Sequence, residues 1–532
     1  MKPRQWLALS SLLVISQLAS LPLAGADGVG PYYKPIEQEK AAQRFAIDAI
    51  GPGNAFAESS RLKIRLPVPK SSELETLRRN NAKSASGQAK ALQIGFGRDM
   101  PADLRLAAAN IPWVALADGR LATQVQLTSP GAKALRAGLA IKAAFSGELR
   151  FAGSDKPQMV LGPYRQSDWR GRQIFWSPVT EGDTVTVEIV LPSGQKGLNG
   201  DIEIVQASHI AANPTQGNQF SNLSPDTYSC EVDLECSTNS VVKNAAKGVA
   251  RMVYTKNGGT YVCSGTLLND KGGTQTPWFY TAHHCISDQA VADTLNTYFF
   301  YENSGCYTNN VPKTYKRLTG GATYLDSDAT NDHAFLRLKD AAPGGVVFNA
   351  WSTDSLASGQ DIVGIHHPHG DLKKVSMGLV SSPATATILS SNTGQRLKDL
   401  WSVSYYSGTV EPGSSGSGLF YCSSTACELR GGLFGGTDNP SCSYGIKSAY
   451  SRFDVAYSRI SGYLSPTTVS PTPTPTPTTK TASSRYANGV LTINNLEIDN
   501  GAAGKVYYNV TMKLKANSNP ALLELDTITQ SP

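Results

Sequence analysis

An all-β fold class is what this sequence predicts, on three observations. Apolar and polar residues alternate with a period of two in LATQVQLTS, GELRFAG and DTVTVEIVL, the signature of half-buried strands. Short apolar runs such as WFYTA and AFLRL are bounded by turn-forming or charged residues. All eight cysteines fall between Cys230 and Cys442, so one region is held by cross-links as well as by a core. At 532 residues the chain exceeds a single core and divides into roughly three or four units, at about 100–200 residues per domain.

Taken in chain order, residues 1–26 combine Lys2 and Arg4 with an apolar stretch that ends in Ala24-Gly25-Ala26. That pattern is an export signal cut after Ala26, and Ser10, Ser11, Ser16, Gln17 and Ser20 break the run short of the roughly 20 apolar residues of a membrane span. Residues 27–225 carry no cysteine. EQEKAAQRFAIDAI and SSELETLRRNNAKSASGQAKALQIGF read as helical there, whereas LATQVQLTS, GELRFAG, RQIFWSPV and DTVTVEIVL read as strands. Residues 226–465 form the cysteine-bearing domain, with its start between about residue 210 and residue 229. Residues 466–480, rich in Pro and Thr, make a stiff extended linker that joins no core. In residues 481–532, GVLTINNLEI, KVYYNVTMKLKA and ALLELDTI predict a small accessory β module.

Charge and cysteine usage exclude other classes. The 48 Lys+Arg against 42 Asp+Glu leave a net charge of +6 with no dense basic run to follow a phosphate backbone, so nucleic acid is not the expected partner. An even number of cysteines in an exported chain points to disulfides, although eight thiols allow 105 pairings. No pair of close Cys or His pairs has structural zinc spacing, and neither metal nor cofactor is expected.

The stretch EPGSSGSGLF raises the question of a nucleophile. All seven histidines, His209, His283, His284, His333, His366, His367 and His369, precede it, whereas the histidine of α/β-hydrolases follows the serine. The order His, Asp, Ser remains. In WFYTAHHCISD a strand runs into His283 and His284 and then Cys285, where a base could be held rigidly. In DSDATNDHAFLRL, Asp332 abuts the apolar strand and is the acid suited to orient an imidazole, while Asp326 and Asp328 read as turn formers.

TAHHC, DHAFLRL and GSSGSGL resemble the three signatures of chymotrypsin-like serine endopeptidases. SCEVDLEC (229–236), IHHP (365–368) and EPGSSGS (411–417) bring the likeness closer to bacterial lysyl endopeptidases, over about residues 229–460. The resemblance implies two packed antiparallel β-barrels of the chymotrypsin-like kind. It implies catalytic His284, Asp332 and Ser415, with Gly413 and Ser415 donating backbone N–H groups to an oxyanion. It also implies bridges Cys230–Cys442, Cys236–Cys306 and Cys263–Cys285, which leaves Cys422 and Cys427 to each other across a short hairpin. Residues 27–225 correspond to a β-rich, mixed propeptide of a secreted preproenzyme, and the expected partners are protein or peptide substrates and that propeptide, with the enzyme a monomer.

Two departures from the family bear on mechanism. Animal trypsin-like enzymes carry Asp before the nucleophile to capture a new N-terminus; Ser414 stands there, so activation by N-terminal insertion is not expected. The pocket is expected from Thr409, from Leu433, Phe434 and Gly435, and from Ser448, which aligns with the acid of lysyl endopeptidases; Phe434 replaces their histidine. A lysine there would lack its counter-ion unless Asp438 supplied one, so an uncharged residue before the scissile bond is expected. IHHPHGD (365–371), with no HExxH nearby, reads as a solvent loop rather than a metal cluster, and His333 as a neighbour of the triad.

Overall fold

The computed structural model describes residues 27–37, 43–47, 61–84, 91–101, 111–198, 200–215, 228–308, 310, 314–389, 396–436, 442–465, 483–487, 490–499, 505–514 and 523–530. The export signal, Asp438, the Pro/Thr linker and all of residues 216–227 lie outside them. The chain separates into two compact units, Met1–Pro466 and Thr467–Pro532.

In the first unit, six strands close on themselves. Gly418–Cys422 pairs with Asp361–His366, which pairs with Lys374–Leu389, then Arg396–Ser407, Lys447–Tyr450 and Cys427–Gly436, and the last returns to Gly418–Cys422. Leu356, Ile362, Val403, Leu419 and Leu433 fill this barrel. The other barrel is a half-barrel in which Lys316–Leu318, Asn296–Phe299, Val249–Lys256, Gly259–Leu268, Trp278–Thr281, His333–Leu338 and Ala322–Asp328 follow one another across the sheet. Its core holds Met252, Leu267, Phe279, Ile286 and Leu336. The helix Phe453–Leu464 turns Phe453, Tyr457, Ile460 and Leu464 onto Trp351 at the seam. The predicted two-barrel, all-β class is thus the one observed.

Residues 27–215 do not stand apart from the barrels. A six-stranded sheet runs Leu62–Arg65, Leu121–Thr128, Thr184–Leu191, Glu148–Gly153, Lys156–Tyr164, with Val114–Ala115 paired to Leu121–Thr128. A second set, Leu92–Asp99, Ile202–Ile210 and Ala134–Ile141, continues the half-barrel's own sheet: Leu92 and Gln93 sit opposite Val262 and Tyr261. Trp278–Thr281 covers only the far end of strand Gly259–Leu268, so the edge at residues 260–262 is free to take this added strand. One apolar cluster joins Leu92, Ile94, Val179 and Ile210 to Val253, Val262, Tyr298 and Leu372. Arg136 crosses the same boundary, fully buried, and donates to the Ser177 and Thr294 carbonyls and the Thr255 hydroxyl. The first residues are stitched on as well, Gly28–Val29 against Trp351 and Ser352 and Tyr32–Tyr33 against Val347 and Phe348.

Several local expectations are corrected. The helix Ser71–Ser84 forms, but LQIGFGRD that follows is a strand, because its alternate residues Leu92 and Ile94 are drawn into the shared core. Residues 43–47 are not α-helical. RQIFWSPV yields only the two-residue strand Phe175–Trp176, while Ala134–Ile141, Lys156–Tyr164 and Ile202–Ile210 are strands that alternation did not single out. In the second unit, Ser483–Ala487, Val490–Asp499, Lys505–Leu514 and Leu523–Gln530 form a four-stranded antiparallel sheet. No helix among the described residues is long and apolar enough to cross a membrane.

Candidate active site

His284 lies in the turn three residues past strand Trp278–Thr281, and its neighbour Cys285 is bridged to Cys263 on the adjoining strand. The imidazole is thereby anchored at its own backbone. Asp332 closes the tight turn ahead of strand His333–Leu338, at a φ of 55°. Its carboxylate is buried and doubly engaged: one oxygen accepts from the His284 backbone N–H at 3.0 Å, the other lies 2.8 Å from Nδ1 of the same residue. This fixes Nδ1–H toward the acid and leaves Nε2 as the acceptor. Among the described residues, His284 Nε2 and Ser415 Oγ have no hydrogen-bond partner.

The Ser415 loop is wedged between the barrels. Ser264 N–H donates to the Ser415 carbonyl at 2.8 Å, and Ser264 Oγ donates to the Gly413 carbonyl at 3.1 Å. Gly416 has a φ of 78°, and a Cβ there would lie 2.1 Å from Thr281 Oγ1, so the loop touches the strand that delivers His284. Gly413, at φ 97°, backs against the His367 carbonyl and the Gly370 amide. Ser414, Gly416 and Ser417 all donate their backbone N–H groups inside the molecule; those of Gly413 and Ser415, among the described residues, donate to nothing. Uncommitted N–H groups, a hydroxyl and a free imidazole nitrogen are the groups that acyl transfer requires.

Comparisons with known proteins bear on this geometry. Residues 225–453 match the family described as Lysyl endopeptidase, C-terminal domain, and residues 65–211 match Lysyl endopeptidase N-terminal domain. Lysyl endopeptidase of Pseudomonas aeruginosa is 36% identical over 390 residues, which span 70% of this chain and 82% of that protein. The chain belongs to the lysyl endopeptidase family. It is a serine-type endopeptidase. Secreted RxLR effector protein 73 of Plasmopara viticola is 25% identical over 223 residues, 40% of this chain and 52% of that relative. Among solved structures, the active form of the Rv3671c protease from M. tuberculosis aligns with 43% of this chain and 86% of its own, at 14% identity and a TM-score of 0.29. The MamO protease domain from Magnetospirillum magneticum aligns with 40% and 96%, at 15% identity and a TM-score of 0.29.

The endopeptidase carries four disulfides, Cys230–Cys442, Cys236–Cys306, Cys263–Cys285 and Cys422–Cys427. Bridges closing such loops are each worth about 2–4 kcal/mol. The sulfurs of Cys263 and Cys285 lie near a His284 ring nitrogen, but as a disulfide they offer no thiolate to a metal.

Of the expected pocket residues, Leu433, Phe434 and Gly435 lie on strand Cys427–Gly436 and Ser448 on strand Lys447–Tyr450, while Thr409 lies outside both. Gly435 and Gly436 of strand Cys427–Gly436 face Ala449 and Ser448 of the neighbouring strand, and Leu433 N–H donates to the Ser417 carbonyl at 2.8 Å. The Phe434 ring meets the His284 ring edge-on, centroids 6.1 Å apart. Thr409 is buried with its hydroxyl unpartnered. Ser448 is likewise buried.

Two sequence expectations change here. His366, His367 and His369 are buried rather than in a solvent loop: His366 bridges the Ser414 and Ser376 hydroxyls at 2.8 Å each, and burial lowers its pKa to about 3, so it is neutral. Asp326 is a strand residue, not a turn former; it sits opposite Phe335 and binds His333 Nε2 at 2.9 Å and the Arg459 guanidinium. Asp328 does shape the turn, accepting from the Thr330 and Asn331 amides. Sequence reasoning also passed over Ser264, which no motif marks, and Glu411, which lay inside the quoted loop without a visible partner.

Proposed function

We propose that the protein is made as an exported preproenzyme whose residues 27–225 are removed to leave a protease domain of residues 226–465 tethered to an accessory module. Ser415 Oγ attacks the substrate carbonyl, and His284 Nε2 takes its proton and returns it to the leaving amine. Asp332 holds the imidazole and balances the imidazolium, the Gly413 and Ser415 N–H groups bind the oxyanion, and water then releases the acyl group from Ser415. The observation that carries this reading is the pair of unpartnered atoms, His284 Nε2 and Ser415 Oγ, beside a ring already fixed by Asp332. Stoichiometric labelling of Ser415 by a fluorophosphonate tests it; a matured protein that takes no label is a protease-like binding protein instead.

The substrate side chain before the scissile bond is proposed to be uncharged. Ser448 occupies the place of the family's acid, and no Lys or Arg lies between Lys196 and Lys243, where the prosegment must be cut if the enzyme matures itself. Lysine preference is the second reading, favoured by the 36% identity to a protein named lysyl endopeptidase. Peptides differing only at that residue decide between them by kcat/KM: a hundredfold preference for Lys excludes the first.

A further inference from the structure

A pair of buried carboxyls lies directly under the nucleophile loop. Glu231 is fully buried, and neither of its oxygens has a hydrogen-bond donor. Glu411 faces it, so the two can bond only by sharing a proton. Burial, reinforced by Glu411, raises the Glu231 pKa well above the carboxylate range, and burial raises that of Glu411 to about 7. Lys374 lowers the pKa of both carboxyls but is committed to Asp233 and lies 3.7 Å from Asp371. His366 Nε2 stands 3.8 Å from Glu231 and His369 Nδ1 3.9 Å from Glu411, both rings kept neutral by burial. Among the described residues, no Lys or Arg forms a direct ion pair with either acid, and Lys374, which acts on both, is already held by aspartates.

The chain brings a nitrogen to it. The backbone N–H of Tyr228 is 3.3 Å from each Glu411 oxygen, and Tyr228 stands where residues 27–225 give way to the barrels, two residues ahead of the Cys230–Cys442 bridge. Glu411 is also tied to the catalytic loop. Its N–H donates to Ser414 Oγ at 3.3 Å, its carbonyl accepts from Ser414 N–H at 2.9 Å, and Ser414 Oγ continues to His366. We propose that the Glu231–Glu411 pair receives the α-ammonium created when the chain is cut within about three residues of Tyr228, and that this ion pair holds the Glu411–Ser415 loop in its catalytic arrangement.

The chemistry balances. Hydrolysis adds water across one amide; the upstream residue leaves with a carboxylate, and the downstream nitrogen, once protonated, becomes an ammonium. Seating that cation lets the proton shared by the two carboxyls leave for solvent, and both oxygens of Glu411 then accept from it. A chain beginning at Tyr228 has its ammonium in place, and since one residue spans at most about 3.3–3.6 Å, a start slightly upstream can fold back. Ser414 removes the acid beside the nucleophile that animal trypsin-like enzymes use; Glu411, four residues before Ser415, supplies one from another direction. Glu231 and Glu411 are positioning residues, acting through the loop.

The proposal rests on the reading of residues 27–225 as a removable prosegment, and one experiment separates the two. The matured enzyme's first residue is identified, and, after the lysines have been guanidinated, its α-amine is either acetylated at alkaline pH, where the ion-paired ammonium gives up its proton, or reductively dimethylated, which keeps the charge. Acetylation is expected to slow fluorophosphonate labelling of Ser415 and lower kcat/KM at least about tenfold, since an opposite charge within about 4–6 Å is worth about one to three pKa units. Dimethylation is expected to leave both rates near those of untreated enzyme, and in E411Q, or in E231Q if E411Q does not fold, acetylation is expected to add no further loss. An acetylated enzyme as fast as the untreated one overturns the ammonium site alone, as does a first residue further than three positions from Tyr228. A chain never cut ahead of Cys230 overturns both this site and the prosegment reading.

Discussion

Asp332 adopts a left-handed backbone conformation, at a φ of 55°, that Asp and Asn take more readily than other non-glycine residues, and both its carboxylate oxygens are on His284. The order His, Asp, Ser was legible in the chain because catalysis needs few residue types and each sat beside a strand end. The carboxyl pair was not, since Glu231 and Glu411 meet only through folding, and neither pattern nor charge count marks them. Replacing Ser415 by Ala is expected to abolish peptide hydrolysis with the melting temperature unchanged, leaving only the ~10³–10⁴-fold contribution of binding and oxyanion stabilisation over water. Near wild-type turnover in that variant refutes the nucleophile. Glu411 gives a pH prediction for the uncut precursor. Its pKa is raised to about 7 from 4.5, so its contribution is complete below the unfolded value and lost as pH rises through about 7. The groups facing it are Glu231, Asp371, Lys374, His369 and the Tyr228 N–H. Thermal melts of wild type and Glu411→Gln should therefore diverge between about pH 5 and about pH 8, with wild type losing ground as pH rises; parallel curves refute the assignment.

At the scale of elements, the loop Glu411–Ser417 depends on glycines for opposite reasons. Gly413 frees its N–H by curling away, while Gly416 lets the loop touch Thr281. Gly416→Ala combines a disfavoured φ, costing about 1–3 kcal/mol, with a Cβ in the strand that carries His284. Labelling of Ser415 should fall steeply in that variant, and a normal labelling rate shows the contact to be dispensable. Strand Leu92–Asp99 teaches a different lesson. Its Ala- and Lys-rich approach resembled a helix, and the strand exists because an unoccupied sheet edge at residues 260–262 accepts it, a partner more than 150 residues away in the chain. By contrast Leu121–Thr128 and Thr184–Leu191 announced themselves by alternation, each having one face on a core of their own region. Arg136 makes the joint testable. Arg136→Met removes three hydrogen bonds from a buried cation, each worth about 1.5–3 kcal/mol, and is expected to weaken rebinding of a separately supplied N-terminal region to the barrels at least about tenfold; unchanged affinity shows the contact to be incidental.

For the molecule as a whole, the division at Pro466 predicts that removing residues 467–532 leaves kcat/KM on short soluble peptides within about twofold, because every residue of the site lies in the first unit. A large loss places the accessory module in the catalytic unit. The added strand and the shared core of the first unit have a consequence in time rather than in space. Val253, Val262 and Tyr298 gain part of their burial from Leu92, Ile94, Val179 and Ile210, so the barrels alone forgo that stabilisation. On the proposed removal of residues 27–225, the matured form is expected to be held by the height of its unfolding barrier rather than by being the lowest state available. Such a form, denatured and returned to native conditions, is expected to stay inactive until residues 27–225 are supplied afresh.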